Sequence, residues 1–119
     1  MPEASCHCGA IKISLAVTPE TLVQCTCSVC RRYGAQWAFL DTETTSVEAA
    51  PGSLVSYIWG DKQIAFQHCA NCGCMTHYDS LDQGEPKRVA VNGRMLATNV
   101  TENLTLRTFD GAETWQFLD

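Results

Sequence analysis

Eight cysteines in 119 residues fall into three tight clusters: Cys6-x-Cys8, Cys25-x-Cys27-x-x-Cys30 and Cys69-x-x-Cys72-x-Cys74. No other feature restricts the fold as much. Three thiols within Cys25–Cys30 cannot all pair with one another, but they can converge on one soft metal ion if the chain turns tightly, which Ser28 permits. Short clusters suit chelation, whereas disulfides usually join more distant positions. The first residues, Met1 to Gly9, show neither the basic n-region nor the apolar h-region of a secretory signal. We therefore expect a reducing, cytoplasmic compartment in which the thiols bind metal. Zinc at two sites is the expectation, and an iron–sulfur cluster is the rival metal group.

The length fits one domain over residues 1–119 with a real but modest core. A formal charge of −5 argues against a nucleic-acid partner, and bound thiolates would make the charge more negative still. No stretch is long and apolar enough to span a membrane. Nothing in the sequence argues for a particular oligomeric state.

Spacing also suggests how the sulfurs divide. Cys6 and Cys8 with Cys69 and Cys72 make two short knuckles that can share one tetrahedral ion, a closed four-thiolate site that is structural by type. Structural zinc contributes about 10–16 kcal/mol in small zinc peptides. The net stability of a domain is about 5–15 kcal/mol. Loss of that ion should therefore unfold much of the chain. Cys25, Cys27 and Cys30 then hold the second ion, one ligand short of a tetrahedron. Cys74 lies two residues beyond Cys72, on the same side of an extended segment. It either closes the second site as a fourth ligand or is a small buried hydrophobe. An open three-thiolate site is a weak Lewis acid and suits thiol chemistry better than hydrolysis.

The segments between cysteines read as strands. Ile11, Ile13, Leu15 and Val17 alternate with smaller or polar residues, the period of a half-buried strand. Leu22–Cys27 is extended, Ser28–Tyr33 can form a helical turn stopped by Gly34, and Gln36–Asp41 is a strand. Leu54–Trp59 and Lys62–Gln67 predict a hairpin across a two-residue Gly60-Asp61 turn. Cys74–Tyr78 and Lys87–Asn92 are further strands, with a polar loop over Asp79–Pro86 between them. Gly93–Val100 is ambiguous, Leu104 and Leu106 mark another strand, and Thr114–Phe117 a weak last one. Gly73 is expected at positive φ in the second knuckle. The fold class is all-β, with short antiparallel strands and zinc knuckles at their connections.

Four ordered motifs carry a resemblance: Cys6-His7-Cys8-Gly9-Ala10, Cys25-Thr26-Cys27-Ser28-Val29-Cys30-Arg31-Arg32, Cys69-Ala70-Asn71-Cys72-Gly73 and Val91-Asn92-Gly93-Arg94. Together they resemble the glutathione-dependent formaldehyde-activating enzymes across nearly the whole chain. The resemblance implies an Mss4-like β-tent, a structural zinc at Cys6, Cys8, Cys69 and Cys72, and a catalytic zinc at Cys25, Cys27 and Cys30. It also implies carbon–sulfur lyase chemistry that joins glutathione and formaldehyde into S-hydroxymethylglutathione. Arg31 and Arg94 are candidates to receive a carboxylate of such a thiol, against the alternative of a solvated face or an internal pair. His7 should point away from the metal. His68 and His77 can act as acid or base near neutral pH, although a structural hydrogen bond is the commoner role. Trp37, Trp59 and Phe66 are expected in the core. The competing class is a non-catalytic binding module in which both zinc sites are structural; the coordination of the second ion separates the two.

Overall fold

Strict alternation decides the first sheet. In Ile11–Leu15 (β2), Ile11, Ile13 and Leu15 are buried while Lys12 is exposed. A computed structural model of the chain, which describes residues 2–81 and 88–119, pairs β2 antiparallel with Glu3–Ser5 (β1) on one side and Thr45–Ala49 (β5) on the other. Periodicity gives no sign of either partner. β1 is only three residues long, and β5 buries none of its side chains. Both exist because β2 offers them a ladder. The expected extension to Val17 fails: that residue is 51% exposed and lies beyond the pairing.

A second sheet holds seven strands in the order Thr105–Phe109 (β10), Thr21–Cys25 (β3), Trp37–Asp41 (β4), Arg88–Asn92 (β9), Met75–Ser80 (β8), Ile64–Cys69 (β7) and Leu54–Ile58 (β6). Every neighbouring pair is antiparallel except β10 and β3, which run parallel. One face of this sheet meets the small sheet. Val91 and Cys69 from it pack there with Ala4, Ile11, Ile13 and Leu15. On the other face, Trp37, Phe66, Met75 and Ala90 pack with Cys30 of a six-residue helix, Ser28–Tyr33 (α1). Gly34 at φ 65 ends that helix as expected, its N–H bonding the carbonyls of Cys30 and Arg31.

The architecture is all-β, as the patterning and the resemblance require. Several local expectations are corrected. Gly60 takes φ 62 and Lys62 donates to the Trp59 carbonyl, so the turn is of the expected kind. The strands do not close onto it, because Lys62 also takes positive φ and Ile58 pairs with Ala65; the second arm starts at Ile64. Asp79 and Ser80 belong to β8 rather than to a loop; the rest of the expected loop from 82 onward, and Lys87, lie outside the described residues. Gly93–Val100 resolves into a 3-10 turn at Gly93–Met95 and a short helix, Thr98–Thr101 (α2). Thr114–Phe117 is not a strand. It forms turns, with one bridge from Phe117 to Phe109, because Trp115 sits at φ 58 and breaks the extended run. Among the described residues no helix is long and apolar enough to cross a membrane.

Candidate metal centre and its cleft

The first sulfur cluster forms where two tight turns meet. Gly9, at φ 85, returns its N–H to the Cys6 carbonyl; Gly73, at φ 80, returns its own to the Cys69 carbonyl at the end of β7. The sulfurs of Cys6, Cys8, Cys69 and Cys72 all lie within 4.8 Å of one another. Cys8 Sγ is 3.7 Å from that of Cys6 and 3.6 Å from that of Cys69. A disulfide needs about 2.05 Å, whereas Zn–S bonds of about 2.3 Å give a tetrahedron with edges of about 3.8 Å. Donor set and spacing thus fit a zinc ion. Backbone N–H groups point at two of these sulfurs: Ile11 donates to Cys6 Sγ at 3.3 Å, and Cys72 to Cys69 Sγ at 3.5 Å. The Cys72 thiol is held down to about 5, chiefly by the backbone N–H of Cys74 and next by that of Cys8.

Cys74 stands on this side of the molecule. It packs against the core that contains Cys6 and Cys69, its sulfur is faced by the His7 backbone, and it is not grouped with Cys25, Cys27 and Cys30. The same-side relation of Cys72 and Cys74 on extended chain accounts for this placement. A fourth-ligand role for Cys74 at the second cluster has no geometric support.

The second cluster is assembled from a strand end and a helix start. Cys25 ends β3, Cys27 precedes α1, and Cys30 lies three residues on, which puts it on the same helix face. Their sulfurs also lie within 4.8 Å of one another, and no further described His, Cys, Asp or Glu joins them. This trio too has the donor chemistry and spacing to hold a zinc ion, with one position left over. Burial pushes the Cys30 thiol up to about 12 and raises that of Cys25. At Cys27 burial also pushes upward, but the backbone N–H groups of Cys30 and Val29 and the neighbouring sulfurs outweigh it, and the thiol is lowered. Those N–H groups lie near the sulfur without forming a full cap bond. The buried indole N–H of Trp37 acts on the Cys30 sulfur in the opposite direction to burial.

A loop from the C-terminal segment is pinned across the trio. Thr26 Oγ1 donates to Asp110 Oδ1 at 2.7 Å and accepts from the Ala112 N–H at 3.2 Å. The other oxygen of Asp110 accepts from the N–H and hydroxyl of Thr114. Gly111 is thereby pressed so close that a Cβ on it would lie 2.6 Å from Cys25 Sγ.

All three cysteines line a cleft of roughly 930 Å³, within the range of small-molecule sites (about 300–1,000 Å³). Trp37, Phe66 and Tyr78 form one wall, Tyr78 meeting Trp37 edge-on at 4.9 Å and Phe66 edge-on at 5.5 Å. Burial, and then the charge of Cys30, raise the Tyr78 phenol, so it keeps its proton. Arg88 lines the same cleft. Sequence patterning singled out neither residue; only their positions on adjacent strands β8 and β9 bring them here. Trp59 is corrected from core to rim: it follows β6, is 43% exposed and lines the cleft.

Arg31 and Arg94 lie elsewhere. They line a smaller pocket of roughly 230 Å³ that shares only Cys25 and Cys30 with the large one. Arg94 Nε donates to the Gly34 carbonyl at 2.6 Å and so secures the end of α1. The preceding Asn92 and Gly93 are structural as well. Asn92 is buried and bonds Met75, Gln36 and Arg94, while a Cβ on Gly93 would meet Leu22 at 2.8 Å. His68 bonds the Val55 carbonyl, and His77 is buried against Thr76 with Asp79 at 3.8 Å. His7 is exposed.

The architecture has a solved counterpart. A crystal structure of a Rhodobacter sphaeroides protein superposes with a TM-score of 0.70 at 26% identity, covering 87% of this chain and 98% of that one. No curated protein matches the sequence. The family pattern of the glutathione-dependent formaldehyde-activating enzyme matches residues 1–109 of the 119. The chain belongs to that family.

Proposed function

We propose that the chain is a zinc-dependent carbon–sulfur lyase-type enzyme acting on the adduct of a thiol with a small aldehyde, in a reducing, cytoplasmic setting. Glutathione plus formaldehyde, giving S-hydroxymethylglutathione, is the reaction the family points to. One observation carries the reading: three sulfurs sit together at a ligand-sized cleft, and among the described residues no fourth ligand closes the set. Cys6, Cys8, Cys69 and Cys72 would hold a structural zinc, and Cys25, Cys27 and Cys30 the reactive one. Zinc bound by three thiolates lowers the pKa of a thiol presented to it while leaving its sulfur nucleophilic.

The chain's own residues account for the rest. The thiol gives its proton to solvent, its sulfur bonds the carbonyl carbon, the C=O π bond opens, and the oxygen takes a proton from a donor that solvent then restores. Tyr78, which stays protonated at neutral pH, lines the cleft with the trio and supplies that proton. Arg31 is retained as a contact for a carboxylate reaching the smaller pocket, with Arg94 beside it.

The test is exchange of formaldehyde with its glutathione adduct, followed by NMR with the zinc-loaded protein. Exchange well above the spontaneous rate is expected. A rate no higher than spontaneous removes the named reaction. Metal analysis showing a second ion held by four sulfurs would favour the binding module instead.

A further inference from the structure

We propose that the thiol handled at the second cluster carries an aromatic or bulky apolar group that lies in the large cleft, in place of the charged arms of a tripeptide. The inference rests on the reading of Cys25, Cys27 and Cys30 as the reactive centre. All three residues line the large cleft, whereas only Cys25 and Cys30 reach the smaller pocket with Arg31 and Arg94. The face common to the three sulfurs therefore opens onto the large cleft. With an aldehyde of one carbon, any sizeable group in that space belongs to the thiol.

The walls state what that group is. Phe39, Trp59, Trp115 and Phe117 are 55%, 43%, 72% and 43% exposed, and all four line this cleft. Exposed large apolar side chains gathered on one concavity mark a binding surface. Among the described residues, the ionisable lining outside the trio and Tyr78 is Asp61 and Arg88, one charge of each sign. Glutathione brings two carboxylates and one ammonium at neutral pH. Among the described residues one cation and one anion face them in this cleft, in a chain whose formal charge is already −5. Such groups would be desolvated with poor matching, whereas an aromatic ring gains from burial and edge-on stacking.

Trp115 gives independent support. It holds φ 58, a left-handed conformation that a bulky residue rarely takes. Its N–H donates to the Asp110 carbonyl at 2.7 Å, and the Asp110 N–H to the Gln116 carbonyl at 2.8 Å. The loop thus fixes Trp115 in a strained conformation with its ring mostly in solvent beside Gly111. Strain of this kind gathers at sites of use.

Calorimetric titration of the zinc-loaded protein with benzyl mercaptan and with glutathione tests the proposal. Benzyl mercaptan is expected to bind at least tenfold more tightly. Trp115→Ala is expected to abolish most of that preference, and Phe39→Ser, on a strand away from the strained loop, to do the same without disturbing it. Glutathione binding as tightly as benzyl mercaptan, or a preference untouched by both substitutions, overturns the proposal. Turnover with formaldehyde is read separately by NMR. Tight aromatic binding without turnover supports the cleft assignment and sinks the lyase reading; turnover confined to glutathione sinks the cleft assignment alone.

Discussion

At Gly111 the backbone approaches Cys25 so closely that a side chain has no room. A Cβ at this position would lie 2.6 Å from Cys25 Sγ and 3.3 Å from Cys27 Cβ, and the neighbours cannot yield cheaply. Cys25 is fixed at the end of β3, and the loop is tied by Asp110 to Thr26 and Thr114. Gly111→Ala must therefore displace a sulfur of the trio. We expect its zinc affinity to fall at least tenfold, about 1.4 kcal/mol, with the first cluster unaffected. Dialysis against a weak chelator followed by metal analysis should leave about one zinc per chain in the variant, where the parent keeps both. Retention of both ions by the variant would refute the steric argument. The sequence carries no hint of this contact, because residues so far apart along the chain meet only through the parallel pairing that sets Phe109 opposite Cys25.

Elements were legible where one residue pattern suffices and obscure where a partner decides. Alternation marked β2, the Cys-rich spacing marked both turns, and Gly34 marked the end of α1. β1 and β5 escaped because their pairing with β2 stabilises them, and Thr114–Phe117 misled because aromatic residues are common in strands. Asn92 shows how a motif can be visible while its role is not. Its Nδ2 donates to the Met75 carbonyl at 2.9 Å, and its Oδ1 accepts from the N–H groups of Gln36 and Arg94. One side chain so joins the exit of β9 to β8, to the approach to β4 and to the turn that carries Arg94. Asn92→Ala leaves these buried groups unpaired and should cost about 2–4 kcal/mol. Urea unfolding of the zinc-loaded protein should show a lower midpoint at unchanged slope. A loss below about 0.5 kcal/mol would mean that water replaces the side chain at little cost.

Across the whole molecule, the two sulfur clusters differ in what they connect and in how readily protons would displace a metal held there. The short cysteine knuckles were readable because their spacing is local. The cleft was not, because its walls come from β3, β4, β7, β8 and the C-terminal segment, and only the folded sheet brings these together. The first cluster ties the β1–β2 end of the small sheet to the end of β7, so an ion there cross-links the two sheets. The second cluster bridges only β3 and α1. Protons compete with metal for sulfur, and a thiol above its ordinary range must be deprotonated by the incoming ion. Burial holds two of the three thiols of the second cluster, Cys25 and Cys30, in that condition, Cys30 at about 12, while Cys27 is lowered. At the first cluster Cys72 is held at about 5, chiefly by the Cys74 backbone, and Cys8 is lowered, chiefly by the Asn71 side chain; Cys69 is raised, the Cys72 backbone N–H being outweighed by desolvation and the neighbouring sulfurs. As pH falls, metal should therefore leave the second cluster first and the first cluster at lower pH. Acidification in the presence of a chromophoric chelator should release zinc in two steps. Circular dichroism should stay native through the first step and collapse in the second, when the link between the sheets is lost. Release in a single step, or a native spectrum after both ions have gone, would show that the sheets hold together without the sulfur-bound ion.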